Sequence, residues 1–324
     1  MDAVAYALAA GIPATVPVPE VWTARANGLT RQDLGMSVLP DGTVLATGGY
    51  AGNGYTASRS WDPATNTWAT KASLPTALYE HAQSTLNDGS VLVTGGRALS
   101  GGYNGVYLYS PVTNSWTTKN SMPLQSFRHG QSTLNDGTVF TTGGLYGPGY
   151  GTQSCYRYTL STNSWATRAS VPGPSIIVSH GQSTLANGDA LITGGSNLAV
   201  VYSYNDAMNA WTARASLDNT RYDHGQSTLN DGTVLVTGGL VLGANTSKSV
   251  VIYDPATNTW AGGLPMPATR YGHAQTTLDD GTVFVYGGQV AGSGTYSGTS
   301  QQYQPSSTDP TPGRAALLGY LAAN

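Results

Sequence analysis

The sequence has 324 residues, of which 10% are charged, and its formal net charge is −3. Its 42 glycines, 20 tyrosines and 7 tryptophans are typical of a turn-rich all-β protein and exclude a body built from long helices. The charge gives no overall reason to expect nucleic-acid binding, and the single cysteine excludes an internal disulfide. No run of about 18 apolar residues is present that could insert in a membrane.

The chain begins with a segment, residues 1–19, that lies outside the repeats described below. Residues 2–10 are apolar and predict a short helix, and a Pro-rich connector follows as far as Pro19. The apolar stretch is similar to the core of a signal peptide. It carries Asp2 and no basic residue, however, and we therefore interpret it as a helix.

A short phrase organises the rest of the chain. Its clearest copy, Asp231 to Gly239, combines an Asp-Gly turn, a β-rich run and a pair of glycines. Six such glycine pairs occur, and successive second glycines are 47, 48, 51, 44 and 49 residues apart. A unit of nearly constant length indicates a repeat protein with one closed body, which we place at residues 20–305.

Each repeat predicts four antiparallel strands joined by Asp-Gly and Asp-Pro turns. Repetition of this unit predicts a six-bladed β-propeller, in which circular closure protects the edges of the sheets. Trp22 lies 46 residues before Trp68 and matches the tryptophan of the other repeats, whereas the last repeat has no tryptophan of its own. The N-terminal strand around Trp22 is therefore expected to complete the last blade.

The repeats resemble kelch repeats. The resemblance rests on the glycine pair, on an aromatic residue later in the repeat, and on the tryptophan that follows. The aromatic residues are Trp61, Tyr109, Tyr158, Tyr204, Tyr253 and Tyr303, and the tryptophans are Trp68, Trp116, Trp165, Trp211 and Trp260. It covers roughly residues 20–304 and implies a kelch propeller, but it leaves the chemistry open.

The C-terminal tail spans residues 306–324. Pro312 to Leu321 predicts a second short helix, since proline is suited to a first helical turn. Both terminal helices are apolar, and we expect residues 2–10 and 312–323 to provide assembly contacts.

All five histidines occupy one repeat position, at the start of the first strand of a blade. They are His81, His129, His180, His224 and His273. They could act as a ring of metal ligands, or each could make the same structural hydrogen bond in its own blade. We favour the structural interpretation, because metal sites need ligands that converge from a few places with supporting contacts. The sequence therefore predicts neither a metal nor another cofactor.

Two enzymes provide further resemblances. Phrases such as Asp88 to Gly96 resemble the early blades of galactose oxidase, whose copper is held by two tyrosines and two histidines beside a Cys-Tyr thioether. That enzyme also has a C-terminal domain, which we do not expect in this chain. A six-bladed kelch enzyme that mutarotates sialic acid is also similar, and it needs only acids, bases and arginines at one mouth. No catalytic residue is matched between that enzyme and this sequence.

Positions that vary between repeats are better candidates for binding than repeated ones. Two sets of loops are predicted on one face, which we call the mouth: those that enter each first strand, and those between second and third strands. They are rich in arginine and tyrosine, as recognition surfaces are. The predicted ligand-binding residues are Arg31, Asp33, Tyr50, Tyr79, Glu80, Arg97, Phe127, Arg128, Arg221, Tyr222, Asp223, Arg270 and Tyr271.

Charge is expected to divide between the two faces. Cations that follow the tryptophans are assigned to the mouth face, namely Arg25, Lys71, Lys119, Arg168 and Arg214. The turns of the opposite face are acidic, so a propeller that is polar from end to end is predicted.

These observations predict a non-catalytic binding propeller. Its ligand would be an acidic or hydroxyl-rich glycan or an acidic peptide loop, because tyrosine offers a flat apolar face with a polar tip and arginine binds carboxylates. One alternative is a small-molecule enzyme at the same mouth, similar to the mutarotase or to galactose oxidase. Another is a structural component of a virion or surface assembly, attached through its terminal helices. The sequence leaves the compartment open and favours an extracellular or virion surface over the cytoplasm.

Overall fold

The computed structural model describes residues 19–99, 101–173, 176–241, 243, 245–290 and 295–306. These residues form six four-stranded antiparallel sheets, which follow one another as blades. First strands of neighbouring blades contact each other in a closed circle, from the first blade to the sixth and back to the first. The predicted six-bladed β-propeller is therefore confirmed. The two predicted terminal helices lie outside the described residues.

The strands of each blade are given from the innermost to the outermost. Blade 1 consists of Gly35–Val38, Val44–Thr47, Ser58–Asp62 and Thr67–Lys71, and blade 2 of Ala82–Thr85, Val91–Thr94, Val106–Ser110 and Ser115–Lys119. Blade 3 consists of Gly130–Thr133, Val139–Thr142, Cys155–Thr159 and Ser164–Arg168, and blade 4 of Gly181–Thr184, Ala190–Thr193, Val201–Asn205 and Ala210–Ala213. Blade 5 consists of Gly225–Thr228, Val234–Thr237, Val250–Asp254 and Thr259–Gly263, and blade 6 of Arg270–Thr277, Val283–Val290, Ser300–Gln304 and Val21–Arg25.

Short additional strands pair within the loops of the mouth. They are Arg97–Ala98 with Gly101–Gly102, Leu145–Tyr146 with Tyr150–Gly151, and Arg221–Tyr222 with Leu240–Val241 and Asn245–Thr246. The described residues include no helix that is long and apolar enough to cross a membrane.

The hydrophobic core lies between the blades. Every residue of the second strand is buried in blades 1 to 5, because neighbouring blades cover both faces of the sheet. This explains why these strands are continuous runs of Val, Leu, Ile, Ala, Phe and Thr and show no regular alternation with polar residues. At the junction of blades 1 and 6, Trp61 stacks on Phe284 with ring centroids 4.0 Å apart.

The repeated tryptophans connect the outer strands. Each indole N–H donates to a carbonyl of the preceding blade at 2.8–3.0 Å, as Trp68 does to Ala26 and Trp116 to Ala72. The series is closed by Trp22 of blade 6, which donates to Leu264 of blade 5. The tryptophan repeat therefore reflects architecture, since it supplies the same contact at all six junctions.

The N-terminal strand completes blade 6, as predicted. Val21–Arg25 pairs with Ser300–Gln304, and Trp22 lies opposite Tyr303. Their ring centroids are 4.9 Å apart, which matches the 5.0 Å between Tyr253 and Trp260 in blade 5. Val21 is the partner of Gln304, so the chain enters and leaves the propeller at neighbouring positions.

Candidate binding site at the mouth

A polar relay joins the first strands of neighbouring blades beneath the mouth. In the relay between blades 4 and 5, Thr193 Oγ1 contacts His224 Nε2 at 2.9 Å and donates to Gln226 Oε1 at 2.6 Å. Gln226 Nε2 then donates to Ser183 Oγ at 3.0 Å. The same three residue types meet at five junctions, from blades 1 and 2 to blades 5 and 6. Repetition of histidine is therefore explained by repetition of this contact.

The hydrogen bonds also determine the protonation state of the histidines. A threonine hydroxyl has one proton, which it gives to glutamine, and so it accepts the Nε2 proton of the histidine. Burial lowers the pKa of His81, His180 and His273 to about 3 and that of His129 to about 4. The imidazoles are thus neutral links between blades. Within the described part of the chain, no group of three or more His, Cys, Asp or Glu is arranged to hold a metal ion.

Blades 6 and 1 meet without this relay. Leu34 and Met36 replace the histidine and glutamine, and Tyr286 replaces the threonine. All three belong to one apolar cluster, and the Tyr286 hydroxyl donates to the carbonyl of Leu29 at 2.6 Å. The polar residues are lost together, which avoids leaving any of them buried without a partner.

The one cysteine does not contribute to the mouth. Cys155 is buried in the cluster between blades 3 and 4, and burial raises the pKa of its thiol to about 12. This is the environment of a packed strand residue and not of an activated thiol.

Three arginines that were predicted to bind ligand are buried beneath the mouth. Arg31, Arg221 and Arg270 are 0%, 4% and 1% exposed. Each donates from Nη1 to the carbonyl of the first glycine of its own blade's glycine pair, at 2.5–2.6 Å. Burial lowers the pKa of Arg270 to about 10 and also lowers those of the other two. We correct the prediction accordingly and exclude these side chains from the candidate site.

The other blades explain why these arginines are buried. The equivalent position holds Leu78, Ser126 and Ile177, which are all buried as well. Ser126 donates to the carbonyl of Gly143, the first glycine of its own pair. This position therefore lies beneath the glycine turn in every blade, whatever residue it holds.

Six residues, one from each blade, form a closed ring at the mouth. Each backbone N–H donates to the carbonyl of the preceding member at 2.8–2.9 Å, and the last member closes the circle with the first. In chain order the members of this ring are Asp33, Glu80, Arg128, Ser179, Asp223 and Gly272. Each immediately precedes the histidine, or in blade 1 the leucine, of the layer below.

The ring residues adopt an uncommon backbone conformation. Their φ angles lie between 51° and 61°, although five of the six are not glycine. Left-handed φ is found at only a few per cent of non-glycine residues and carries a cost in stability. The hydrogen-bonded circle imposes this conformation in all blades, while the side chains that it presents differ in each.

The side chains of the ring surround a pit on the central axis. The pit has a volume of about 200 Å³, with the histidine layer as its floor. Glu80 accepts a hydrogen bond from Arg128 Nε at 2.7 Å, and its second oxygen lies 3.9 Å from Arg97 Nε. Arg128 and Arg97 remain 34% and 42% exposed in their side chains, in contrast to the buried arginines.

The carboxyl group of Asp33 has a strongly raised pKa. Burial, together with the charges of Asp223 and Glu80, raises its pKa to about 8, although Arg128 and a 2.7 Å hydrogen bond from Gln32 oppose the shift. A carboxyl group that holds its proton near neutral pH beside other carboxylates is characteristic of functional sites.

An arc of aromatic rings borders one side of the pit. Tyr296 meets Tyr50 edge to face at 5.7 Å, and Tyr50 lies 4.9 Å from Tyr79 between ring centroids. The Arg97 guanidinium continues the arc, 5.7 Å from the Tyr79 ring and 5.0 Å from the Phe127 ring. We call these five residues the aromatic arc. It joins loops of blades 6, 1, 2 and 3 into one surface.

The remaining predicted tyrosines belong to blades 5 and 6, and Tyr271 lies near Tyr296 of the aromatic arc. Tyr222 and Tyr271 are half-buried and immediately precede ring residues. Burial raises the pKa of the Tyr271 hydroxyl, and the nearby carboxylates of Asp33 and Asp223 raise it further. The structure therefore brings Tyr271 close to the acids of the ring.

A groove extends outward from the pit between blades 2 and 3. It has a volume of about 640 Å³. Arg97, Phe127 and Arg128 line its inner end, and a glycine-rich wall that includes Gly102 and Gly149 lines the remainder. The pit and the groove share Arg128, so a ligand longer than the pit can continue into the groove.

Arg168 does not lie at the mouth, contrary to the predicted division of charge between the two faces. Arg168 pairs with Asp206 of the next blade at 3.0 Å, and Arg157 bridges the same aspartate to Asp136. The end of an outer strand therefore lies beside the acidic turn of its neighbour and not at the mouth. This arginine balances the acidic turns.

Some members of the site were not among the predicted ligand-binding residues. They are Ser179 and Gly272 in the ring and Tyr296 in the aromatic arc. The signal for the ring was present, because each member stands one residue before a repeated position. Tyr296 comes from a loop whose length is specific to blade 6, and no repeat position identifies it.

Comparison with known proteins supports the fold. No family model matches the chain, and no curated protein matches it by sequence. A solved structure described as "Structure of YjhT" is similar, with a TM-score of 0.72 over 86% of this chain and 99% of that chain. The shared fold is a β-propeller. At 16% identity this likeness shows the fold alone, and the kelch resemblance remains a prediction from the repeats.

Proposed function

We propose that this propeller binds a hydroxyl-rich glycan at its mouth. The observation that carries the proposal is the aromatic arc beside a ring that contains three carboxyl groups. Tyrosine faces stack on the apolar faces of sugar rings, while carboxylates accept hydrogen bonds from sugar hydroxyls. Few other ligands need both surfaces at once.

The aromatic arc supplies stacking surface at low entropic cost. Tyr50, Tyr79 and Tyr296 are half-buried, and Tyr50 contacts both of the others, so these rings are largely fixed before a ligand arrives. Arg97 lies between the rings of Tyr79 and Phe127. A surface that is organised in advance loses less conformational entropy on binding.

Burial of three arginines shifts the expected ligand away from acidic ones. Of the predicted arginines, only Arg97 and Arg128 remain accessible, and both face Glu80. The ring itself contributes Asp33 and Asp223 in addition. A hydroxyl-rich glycan fits this balance better than an acidic glycan or an acidic peptide loop does.

A panel of neutral oligosaccharides tests the proposal by isothermal titration and by ligand-observed NMR. The panel contains gluco-, galacto-, manno- and N-acetylgluco-oligosaccharides of two to four units. At least one is expected to bind, and Tyr79→Ala should weaken that binding tenfold or more, or about 1.4 kcal/mol. Tyr150→Ala is the matched control, because this tyrosine is 62% exposed and lies outside the aromatic arc. Absence of binding across the panel would overturn the proposal.

One observation favours an enzyme at the same mouth as a second candidate. Asp33 retains its proton near neutral pH, whereas Glu80 is paired with arginine. A carboxylic acid next to a carboxylate can move protons to and from a bound reducing sugar, as opening and reclosing of its ring requires. This agrees with the resemblance to the mutarotase.

Exchange between sugar anomers tests this candidate. Saturation transfer NMR on the sugar that binds should show faster exchange with the protein, and Asp33→Asn should return it to the rate in buffer. An unchanged rate with the wild-type protein would leave the site as a binding site only.

The third alternative, a component of a virion or surface assembly, remains a prediction. It depends on residues 2–10 and 312–323, which lie outside the described residues.

A further inference from the structure

Gly272 leaves a gap in the ring between two aspartates. The Asp33 N–H donates to the Gly272 carbonyl at 2.9 Å, and the Gly272 N–H donates to the Asp223 carbonyl at 2.8 Å. A β carbon at position 272 would lie 2.8 Å from Asp33 Oδ1. The Asp33 carboxyl group therefore extends over the place where a side chain would stand, on the side of Asp223.

Electrostatics supports this proximity. After burial, Asp223 is the largest cause of the raised pKa of Asp33, ahead of Glu80. Two carboxyl groups that share a small space disfavour double ionisation, unless a cation lies between them. Within the described part of the ring, the only cationic member is Arg128; its Nε is bound to Glu80, and its charge also acts on Asp223 and Asp33.

A third carboxylate has an unused oxygen. The Glu80 side chain is 5% exposed and lines the pit. Its Oε1 accepts from Arg128, but its Oε2 has no hydrogen-bond donor and lies 3.9 Å from Arg97 Nε. A buried carboxylate oxygen without a donor is costly, and a ligand that donates to it recovers that cost.

The size of the pit limits what can enter. Its volume of about 200 Å³ is below the roughly 300–1,000 Å³ typical of small-molecule sites, so it accommodates one end of a ligand. A primary ammonium group has three N–H donors and one positive charge, which matches three carboxyl groups in a ring whose described residues include a single arginine. The described residues around the pit contain no arrangement suited to a metal ion.

We propose that the pit selects amino sugars, with the ammonium group bound between Asp33, Asp223 and Glu80 while the sugar rings contact the aromatic arc. This inference rests on the proposed glycan-binding function, because the aromatic arc must hold the rings. The ammonium group would allow both aspartates to ionise together. The following units of an oligosaccharide would extend past Arg128 into the groove.

Two trimers that differ only at the amine test the inference. The trimer of glucosamine and the trimer of N-acetylglucosamine are titrated calorimetrically into the protein at pH 6, where the free amine is protonated. The free-amine trimer is expected to bind at least tenfold more tightly. Asp33→Asn and Asp223→Asn should each remove most of this preference, because the affinity for the free-amine trimer should fall much further than the affinity for the N-acetylated trimer.

A matched variant separates local from overall charge. Asp279→Asn makes the same change of charge at an exposed turn on the opposite face, and it should leave the preference unchanged. Equal affinity for the two trimers, equal losses in all three variants, or trilysine binding as tightly as the amino trimer would each overturn the inference. The proposed function would still stand if a neutral sugar of the panel binds. If neither trimer binds, the inference is likewise overturned, and the panel alone then decides the proposed function.

Discussion

The ring at the mouth and the relay beneath it are neighbours that follow opposite rules. Glu80 and His81 are consecutive residues, as are Asp223 and His224. The lower member is a histidine in five blades and makes the same hydrogen bond in each. The upper member is an acid, an arginine, a serine or a glycine, although its backbone is equally constrained in all six.

The comparison teaches how a repeat protein separates stability from function. Where the side chain is repeated, its contact with the next blade is repeated too, and the residue supports the architecture. Where only the backbone is repeated, the side chain is free to differ and to meet a ligand. The ring keeps a strained φ for residues such as Arg128 and Glu80, and such strain is often found at functional sites.

The largest expected effect is a loss of stability at low pH, caused by the histidines of the relay. Each relay histidine has a folded-state pKa well below its ordinary value of 6.5. Above pH 7 the histidines are neutral in both states and the free energy of unfolding does not change with their titration. Below pH 6.5 the unfolded chain takes up protons that the folded chain excludes, at about 1.4 kcal/mol per pH unit for each histidine. Urea unfolding should therefore show stability falling steeply from pH 6.5 towards pH 4.

A variant sharpens this prediction. His81→Leu copies the residue that blade 1 carries at the same position, and its pH dependence should be shallower by about one proton. Stability that stays level down to pH 4 in the wild-type protein would contradict the assignment of neutral, structural histidines.

A smaller effect distinguishes the two kinds of arginine. Arg270→Ala should lower the free energy of unfolding by about 3 kcal/mol, because it leaves a cavity and removes the hydrogen bonds that Arg270 donates to the carbonyls of Gly287 and Thr299. Arg128→Ala should lower it by only about 1–2 kcal/mol, since this side chain is one third exposed, although the buried Glu80 loses a hydrogen-bond donor. Similar losses in both variants, measured by urea unfolding, would break the division between buried and mouth arginines.

The smallest effect has the opposite sign. The pKa of Asp33 is raised to about 8, so its stabilising contribution is complete below pH 4 and is lost as the pH rises through 8. Asp33→Asn removes this cost and should stabilise the fold by about 1 kcal/mol at pH 8, with little gain at pH 4. Asparagine also tolerates the left-handed φ of this position. A destabilised variant at pH 8 would show that Asp33 supports the architecture instead.

The fold could be predicted from the sequence because the repeated residues make repeated contacts in the structure. Each glycine pair, turn and tryptophan makes the same contact in its blade, so the strands and the closure through Trp22 could be predicted. Most positions of the ring could also be predicted from the sequence, since each member immediately precedes a repeated position.

The roles of the arginines could not be assigned in the same way. Arg31 and Asp33 are two residues apart and both vary between blades, yet one is buried under a glycine turn and the other faces the pit. Leu78 and Ile177 occupy the same repeat position as Arg31. Two apolar residues at one position indicate that it is buried. The Arg168 contact depends on how outer strands approach the next blade, which spacing along the chain does not reveal.

One pair of variants tests the central division most directly. Thr193→Val removes the hydroxyl on which His224 and Gln226 converge, and Asp223→Asn changes the ring one layer above. Both are examined by urea unfolding and by calorimetric titration with the tightest-binding sugar. Thr193→Val should lose about 1–3 kcal/mol of stability and keep its affinity, whereas Asp223→Asn should keep its stability and lose affinity tenfold or more. The opposite pattern, or equal losses of both quantities in both variants, would contradict the separation of relay and ring.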